Sequence, residues 1–184
     1  MNTFALVSLG VLVAAAVAVV MEPWARLLHG RVWHHVLFRV HRSHHAHRKG
    51  RFEANDVLSA AHAPIAAALI VIGCNMHGAW AAVAIGVGAG MTVFGLAYVV
   101  VHDGLVHGRL PVAFLRRSRW LRRVRDAHRV HHARGEAPYG FFFGPLELMR
   151  TPRARGERPI APPPLGLARV EPRDTRSGAA RRSA

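Results

Sequence analysis

The sequence predicts an all-α fold: an integral-membrane bundle of three helices, capped by further helices on the cytoplasmic side. An additional re-entrant helix around residues 110–115 would bring the membrane helices to four. The chain contains two long stretches without any Asp, Glu, Lys or Arg, residues 3–21 and 57–101. All 25 Lys and Arg residues lie outside these stretches. Uncharged and basic segments therefore alternate along the chain, as they do in multi-pass membrane proteins.

The two uncharged stretches account for three membrane crossings. A spanning helix needs about 20 apolar residues, so residues 3–21 form one helix and residues 57–101 are long enough for two. Between these two lies the turn Gly73-Cys74-Asn75-Met76-His77-Gly78, a polar interruption bounded by glycine. We expect an outgoing helix over 57–72 and a returning helix over 79–101. The outgoing helix is short, which favours a start before Val57.

The basic residues predict the orientation of these helices. They fall in residues 22–56 and 102–184, with none in the N-terminal tip or in the turn. Because basic flanking segments stay on the cytoplasmic side, the N-terminus and the turn face outward and the C-terminus faces the cytoplasm. We expect a multi-pass protein of the inner (plasma) membrane. Anionic lipid headgroups explain the formal charge of +15 more simply than nucleic acid does.

The composition divides the chain into two parts. Residues 1–151 form the membrane domain. Residues 152–184 are rich in Pro, Arg, Gly and Ala and show no hydrophobic period, so they are predicted to be a disordered basic tail without a catalytic role. The N-terminal stretch lacks the basic residues that begin a cleaved signal peptide. The single cysteine, Cys74, excludes an intramolecular disulfide and a multi-cysteine metal site.

The histidines are the most informative residues of the sequence. Ten of the fourteen follow two spacings that repeat in the same order, H-x-x-x-x-H and then H-x-x-H-H. The ten are His29, His34, His41, His44, His45, His102, His107, His128, His131 and His132. A chance scatter does not explain this repeat. All four motifs come shortly after a predicted membrane helix or in the basic regions, so topology places them near one face of the membrane.

The two spacings differ in what a regular helix does with them. Positions i, i+3 and i+4 lie within a sector of about 100 degrees, so the three histidines of H-x-x-H-H share one helical face. Positions i and i+5 differ by about 140 degrees. The histidines of H-x-x-x-x-H can therefore serve one site only where the helix ends, loosens or bulges.

Such a histidine set predicts a metal site in the cytoplasmic cap. Neutral imidazole suits iron, zinc and copper. Ten ligands exceed the four that one zinc ion takes, so we expect at least two metals. Iron is the chemical choice, since an imidazole-rich pair leaves positions open for dioxygen. The candidates to accept the distal N–H of these histidines are Glu22, Asp56, Asp103 and Asp126, with salt bridges to nearby arginines as the alternative.

At these residues the sequence resembles the bacterial β-carotene 3-hydroxylases, within the fatty-acid hydroxylase superfamily of membrane di-iron enzymes. The resemblance runs from about Met21 to about Pro145. It includes His41-Arg42-Ser43-His44-His45, Arg48-Lys49-Gly50-Arg51-Phe52-Glu53-Ala54-Asn55-Asp56, Val101-His102-Asp103-Gly104-Leu105-Val106-His107 and Ala127-His128-Arg129-Val130-His131-His132-Ala133. The H-x-x-H-H motif alone indicates only the superfamily, whereas the second and third strings are much narrower.

The resemblance implies a membrane-bound non-haem monooxygenase of carotenoid biosynthesis. Its reaction would be O2-dependent hydroxylation of β-ionone rings at carbon 3, from β-carotene through β-cryptoxanthin to zeaxanthin. Keto-carotenoids are a further substrate class, such as canthaxanthin in a conversion to astaxanthin. The implied cofactors are two Fe ions held by the ten histidines, with O2 as co-substrate and electrons from reduced ferredoxin. The alternative is a fatty-acyl or sterol lipid hydroxylase or desaturase with the same metal core.

Two further questions stay open at the level of sequence. The basic run Arg116, Arg117, Arg119, Arg122 and Arg123 suits an acidic electron donor and equally suits anionic lipid. A histidine-rich metal carrier is a different class of protein. It would carry ionisable residues in several spans, and only His62 and a few small polar residues fit that expectation.

Overall fold

The computed structural model describes residues 1–46 and 52–150, and this part of the chain is helical without any strand, as predicted. The α-helices are α1 (Thr3–Leu27), α2 (Phe38–His45), α3 (Asn55–Ala60), α4 (Ala63–Cys74), α5 (Gly78–Tyr98), α6 (Arg119–Arg134) and α7 (Gly144–Arg150). A first π segment (Leu28–Val36) continues α1, and a second π segment (Val99–Val106) continues α5. The predicted tail, residues 152–184, lies outside the described residues. Residues 47–51 also lie outside them, and four of these, 48–51, belong to the second string of the resemblance.

Three helical stretches are long and apolar enough to cross a membrane, which confirms the predicted number. They are Thr3–Val36, Asn55–Cys74 and Gly78–Val106. Each is longer than the uncharged stretch that predicted it, because the helix continues into the polar, histidine-bearing segment. The outgoing helix begins at Asn55, before Val57 as expected. Most large apolar side chains of the first span are exposed, as is normal where lipid is the solvent.

One expectation about the membrane helices is wrong. Residues 110–115 do not form a re-entrant helix; the chain there contains only a short 3-10 helix, Ala113–Arg117. Pro111 explains the difference, since it lacks the N–H that a longer helix would need and favours extended backbone before it. The side of the membrane on which the cap lies stays a prediction.

The helix α5 packs between α1 and α4 through glycines. A Cβ on Gly86 would lie 2.6 Å from the carbonyl oxygen of Gly10 in α1, and a Cβ on Gly90 would lie 2.5 Å from that of Ala14. Gly88 faces α4 in the same way: a Cβ on this residue would lie 2.6 Å from the carbonyl oxygen of Ala66. Small residues at membrane helix interfaces let the backbones approach this closely. The contact fixes the ends of α1 and α5 that lead into the two π segments.

The cap packs on these ends around a small apolar core. Val101 and Leu105 of the second π segment contact Val124 of α6 and Phe141, and all four are buried. Ser118 begins α6 by accepting a hydrogen bond from the N–H of the third helical residue, at 3.3 Å. A serine in this position satisfies a backbone donor that the helix leaves free. The core therefore holds α6 against the end of the third membrane helix.

Candidate metal centre

The ten motif histidines come together in the cap, although they are spread over more than 100 residues of sequence. Their ring nitrogens form two groups, and within each group the nitrogens lie within 4.8 Å of one another. Group A consists of His29, His34, His41, His45 and His131. Group B consists of His44, His107, His128 and His132, to which we add His102. The Nε2 atom of His102 lies 3.1 Å from that of His44.

The π segments answer the question that the H-x-x-x-x-H spacing raised. In a π-helix the backbone bonds join residues five apart, so such residues come close to alignment on one face. The N–H of His107 donates to the carbonyl of His102 at 3.0 Å, which is such a bond. His29 and His34 lie in the first π segment, with ring centroids 5.1 Å apart. Each pair of histidines thereby serves one site.

The H-x-x-H-H motifs do not act as three ligands of one group. His41 and His45 of α2 belong to group A, whereas His44 between them belongs to group B. The motif of α6 is divided in the opposite sense, with only its middle histidine, His131, in group A. The two helices meet through their histidine rings, and each contributes its i, i+4 pair to one group and its i+3 residue to the other. The expectation of a shared helical face holds, but that face spans both groups.

The two groups adjoin each other. The rings of His45 and His132 stack with their centroids 4.5 Å apart, and these residues belong to groups A and B respectively. His44 and His41 face each other across the same boundary at 5.7 Å. The arrangement is a single cluster with two neighbouring halves, each of which could hold a metal ion.

In group A, the outward nitrogens of three histidines contact neutral oxygen atoms. The Nδ1 of His29 lies 2.9 Å from the carbonyl oxygen of Tyr139, and that of His131 lies 2.7 Å from the carbonyl oxygen of Glu136. The Nδ1 of His41 lies 2.7 Å from Oδ1 of Asn55. A carbonyl oxygen can only accept, so each Nδ1 is the N–H donor. Each Nε2 therefore carries a lone pair.

In group B, the outward nitrogens contact carboxylates. The Nδ1 of His102 lies 2.7 Å from Asp103, and that of His44 lies 3.4 Å from Glu53. Arg109 joins the two carboxylates, at 2.7 Å from Glu53 and 3.7 Å from Asp103. Hydrogen bonds of this kind orient metal-binding histidines and fix their tautomer. Of the four predicted carboxylates, Asp103 is the one that contacts a histidine nitrogen among the described residues.

The other three predicted carboxylates contact different groups. Asp56 accepts a hydrogen bond from Arg109 at 2.7 Å. Asp126 pairs with its neighbour Arg125, and its side chain is 57% exposed because it faces away from the histidines of α6. Glu22 is buried, and its Oε1 accepts a backbone N–H rather than an imidazole N–H. Their roles in the structure are ion pairing and the anchoring of backbone.

Four partners of the histidines were missed at the level of sequence. Glu53 and Asn55 lie within a string that carried the resemblance, which was the available signal, but no periodicity distinguishes them from their neighbours. The carbonyl groups of Glu136 and Tyr139 have no signal at all, because every residue has one. Only the fold shows which carbonyl reaches an imidazole.

The inward-facing Nε2 atoms of both groups are arranged so that they could bind a metal ion. His29 and His41 each donate through Nδ1, yet their Nε2 atoms lie 3.2 Å apart. The same holds for His44 and His102, at 3.1 Å. Two lone pairs cannot form a hydrogen bond with each other, whereas a metal cation between such atoms would satisfy both. The Nε2 of His107 is buried without a hydrogen-bond partner, which supports the same conclusion.

The protonation of the cap histidines agrees with this fit. Burial, and after it the neighbouring imidazoles, lowers the pKa of His107 to about 2 and that of His132 to about 3. The pKa of His131 also falls to about 3, with burial again the main cause. Burial lowers the pKa of His41 to about 4. These side chains are neutral at pH 7, the form in which imidazole binds metal.

The segment between α6 and α7 covers the centre. The ring of Tyr139 lies 5.1 Å from that of His34 and also contacts His29 and His131. The carboxylate of Glu147 accepts the N–H of Tyr139 at 3.1 Å. Glu22 of α1 accepts the N–H of Phe143 at 2.9 Å. The buried carboxylate of Glu22 therefore fastens this cover to the first membrane helix, and Glu147 of α7 holds its Tyr139 end.

A cavity of about 700 Å³ lies on the outer side of the cover, between the end of α1 and α7. Apolar residues line it on the membrane side, among them Val19, Val20, Phe143 and Leu146. Gly140, which follows Tyr139 in the cover, also lines the cavity. The cavity therefore borders the segment that covers group A, and the charged residues Glu22, Arg26, Glu147 and Arg150 also line it.

The fold and the site define a class: a multi-span membrane protein with a two-part, histidine-lined metal centre in its cap. The family model "Fatty acid hydroxylase" matches residues 14–150. The chain belongs to this family of membrane oxygenases.

The relatives it matches are β-carotene hydroxylases. The chain is 44% identical over 137 residues to "Beta-carotene hydroxylase 1, chloroplastic" of Capsicum annuum, covering 73% of this chain and 44% of that protein. It is 46% identical over 133 residues to "Beta-carotene 3-hydroxylase 1, chloroplastic" of Arabidopsis thaliana, covering 71% and 43% respectively. It is 42% identical to "Beta-carotene hydroxylase" of Pseudescherichia vulneris, covering 77% of this chain and 81% of that protein. The chain thus spans less than half the length of the plant relatives. No solved structure matches it.

Proposed function

We propose that this protein hydroxylates the β-ionone rings of carotenoids at carbon 3, using O2 and a di-iron centre held by the ten motif histidines. The substrate would be β-carotene, converted through β-cryptoxanthin to zeaxanthin, with 4-keto carotenoids as a second class. The observation that carries the metal centre is the set of facing Nε2 lone pairs at 3.1 and 3.2 Å. The substrate class comes from the names of the relatives.

The donor set favours iron over other metals. All ten inward ligands are imidazoles, with no thiolate in either group, and imidazole with open positions suits oxygen chemistry at iron. When bound, the iron pair would activate dioxygen: one oxygen atom enters a C–H bond and the other leaves as water, with two electrons from the external donor and two protons. The protein's own contribution is to hold the ligands neutral and oriented and to keep water out. The cover formed by Tyr139, whose ring lies against His29, His34 and His131, serves this last purpose.

The cavity beside the cover supports a lipid-soluble substrate. Its volume of about 700 Å³ lies within the range of ligand pockets, roughly 300–1,000 Å³. The lining of Val19, Val20 and Phe143 suits an apolar ring and would let it arrive from the bilayer. We propose that one end of the carotenoid binds here, with the cover between it and group A moving to admit the ring.

We further propose reduced ferredoxin as the electron donor, with O2 as co-substrate. The five arginines around the start of α6 are exposed and form a basic surface near the centre: Arg116, Arg117, Arg119, Arg122 and Arg123. Such a surface attracts an acidic partner. The competing role is contact with anionic lipid headgroups, and a charge-reversal variant with unchanged membrane insertion separates the two.

The location and the domain limits complete the proposal. We place the protein in the plasma membrane, with the metal centre and the C-terminus in the cytoplasm, on the strength of the basic segments on that side. We assign residues 1–151 to the hydroxylase domain and residues 152–184 to a basic tail outside it. Fusing a reporter to the C-terminus that is active only in the cytoplasm tests the orientation.

Pigment analysis tests the proposed reaction. Bacterial cells that accumulate β-carotene are made to express the chain together with a ferredoxin system, and their carotenoids are separated by chromatography. Zeaxanthin is expected with the parent chain and not with His34→Ala. The neighbouring His35 is exposed and belongs to neither group, so His35→Ala is the matched control and should retain activity.

The result also decides between the proposal and its alternative. If the well-expressed parent leaves β-carotene unchanged, the carotenoid proposal fails. Hydroxylation of fatty-acyl or sterol lipids, which the family's description favours, is then the next assay. If His35→Ala is as inactive as His34→Ala, the loss of activity does not come from the metal centre, and the ligand assignment fails.

A further inference from the structure

The two groups differ in the charge of the atoms behind their ligands. In group A, His29, His41 and His131 donate to neutral oxygen atoms, two backbone carbonyls and one amide. In group B, His44 and His102 donate to carboxylates. A carboxylate behind an imidazole makes it a stronger ligand than a neutral oxygen does, because it stabilises the positive charge that the ring gains on binding a cation.

Arg109 maintains this difference. Its side chain is 12% exposed, and its guanidinium lies 2.7 Å from Glu53, 2.7 Å from Asp56 and 3.7 Å from Asp103. Its positive charge therefore lies against all three carboxylates. Arg109 also holds Glu53 and Asp103 in the orientation in which they face His44 and His102. One guanidinium faces three carboxylates, so among the described residues this side of the centre stays negative.

Group A has no comparable network in the described part of the chain. Its amide partner, Asn55, is buried and is itself held by a hydrogen bond from its N–H to Ser43 at 3.0 Å. The Oδ1 atom thereby faces His41 without a charge. The atoms behind the imidazoles therefore differ between the groups: two backbone carbonyls and the Asn55 amide in group A, and the carboxylates of Glu53 and Asp103 in group B.

We propose that the two groups bind metal with unequal affinity, group B more tightly than group A, and that Asp103 and Asn55 set the difference. This inference rests on the proposed metal centre. Loss of an outer hydrogen-bond partner typically costs about 10- to 100-fold in metal affinity. The two binding constants of this protein should therefore differ by at least about tenfold. Metal fills group B first, and group A is the half that exchanges its metal readily.

Titration of the metal-free protein with Co²⁺ tests the proposal without using enzyme activity. The full chain is purified in detergent micelles, and binding is followed by the visible absorption of Co²⁺ against a competing chelator. Two binding classes are expected. His34→Ala and His107→Ala, at equivalent positions of the two π segments, identify them: the first variant should keep the tight class and the second should keep the weak class.

Substituting the hydrogen-bond partner of a histidine in one group should change the Co²⁺ affinity of that group and leave the affinity of the other group unchanged. Asp103→Asn should weaken the tight class about tenfold or more and leave the weak class unchanged. Asn55→Asp should tighten the weak class by a similar factor and leave the tight class unchanged. Asp126→Asn makes the same chemical change on an exposed carboxylate and should alter neither. Asp103→Glu keeps the charge and should restore most of the tight binding.

Each outcome of this experiment decides a separate question. Two classes of equal affinity in the parent overturn the inference, and so does a weakening of both classes alike by Asp103→Asn. If Asp103→Asn does not fold, as judged by thermal unfolding of the metal-free protein, Asn55→Asp decides alone. Binding of fewer than two Co²⁺ ions per chain rejects the proposed metal centre itself. Equal classes together with intact zeaxanthin production reject only the inference.

Discussion

The substitution Gly90→Ala tests whether close helix contact positions the metal centre. Gly90 faces α1, where an added Cβ would lie 2.5 Å from the carbonyl oxygen of Ala14 and 2.7 Å from the Cβ of Val17. Ordinary contacts of a Cβ begin at 3.4 Å. Neither obstacle is the flexible end of a side chain, so α5 must move away from α1 by about 1 Å. The matched control is Gly95→Ala in the same helix, where nothing lies within 4 Å of the added Cβ.

The expected energies follow from these contacts. Overpacking costs about 1–3 kcal/mol, whereas alanine gains about 1 kcal/mol over glycine within a helix. The Gly90 variant should therefore lose up to about 2 kcal/mol of unfolding free energy, and the Gly95 variant should gain up to about 1 kcal/mol. Unfolding in detergent micelles by a denaturant, followed by circular dichroism, measures both. Equal stability of the two variants would refute the argument that α5 is held by backbone contact.

Three further predictions concern the cap. The variants His131→Ala and His132→Ala should each lose one metal ion, from groups A and B respectively, although the residues are neighbours. The metal-free protein should lose stability as the pH falls from about 6.5 towards 3, because the unfolded chain takes up protons that the buried histidines resist. Glu147→Gln should loosen the cover, since a neutral amide binds the N–H of Tyr139 more weakly than a carboxylate does. Metal analysis, denaturant titration at several pH values and hydrogen exchange at Tyr139 are the respective measurements.

These predictions can each fail in a distinct way. If both histidine variants lose the same ion, by Co²⁺ titration, the division into two groups is wrong. Stability that is constant between pH 7 and pH 4 would show that the histidines are accessible to protons in the folded state. Unchanged hydrogen exchange in Glu147→Gln, with Glu136→Gln as the control at the other end of the cover, would remove the carboxylate as its anchor.

The sequence predicted the membrane helices well because the cost of placing a charge in lipid decides where they lie. A single Arg or Asp is costly there, so the uncharged stretches located three spans, with errors of position only at their ends. Thr3–Val36 extends 15 residues beyond the predicted end at residue 21. Its last turns are polar and carry His29 and His34 of group A. Hydropathy does not detect that part of a helix.

The histidine spacings predicted which residues gather but not how they divide. The H-x-x-x-x-H spacing required a loosened helix, and both π segments supply it. The division of His41, His44 and His45 between two groups was not predictable, because it depends on the position of α6 beside α2. That position follows from packing around Val124, which is fully buried. Local periodicity carries no information about such a contact.

The division of the motifs makes the two halves of the chain interdependent. Each half supplies a membrane helix, a π segment with two histidines and a shorter helix with three. In each of these shorter helices the middle histidine belongs to a different group from the other two. Group A depends on His131 from the second half, and group B depends on His44 from the first. Neither half can therefore form a complete site, and α1 and α5 must be held in register for both. The glycine contacts at Gly86 and Gly90 hold together the two helices that continue into the π segments, so close packing within the membrane supports the centre.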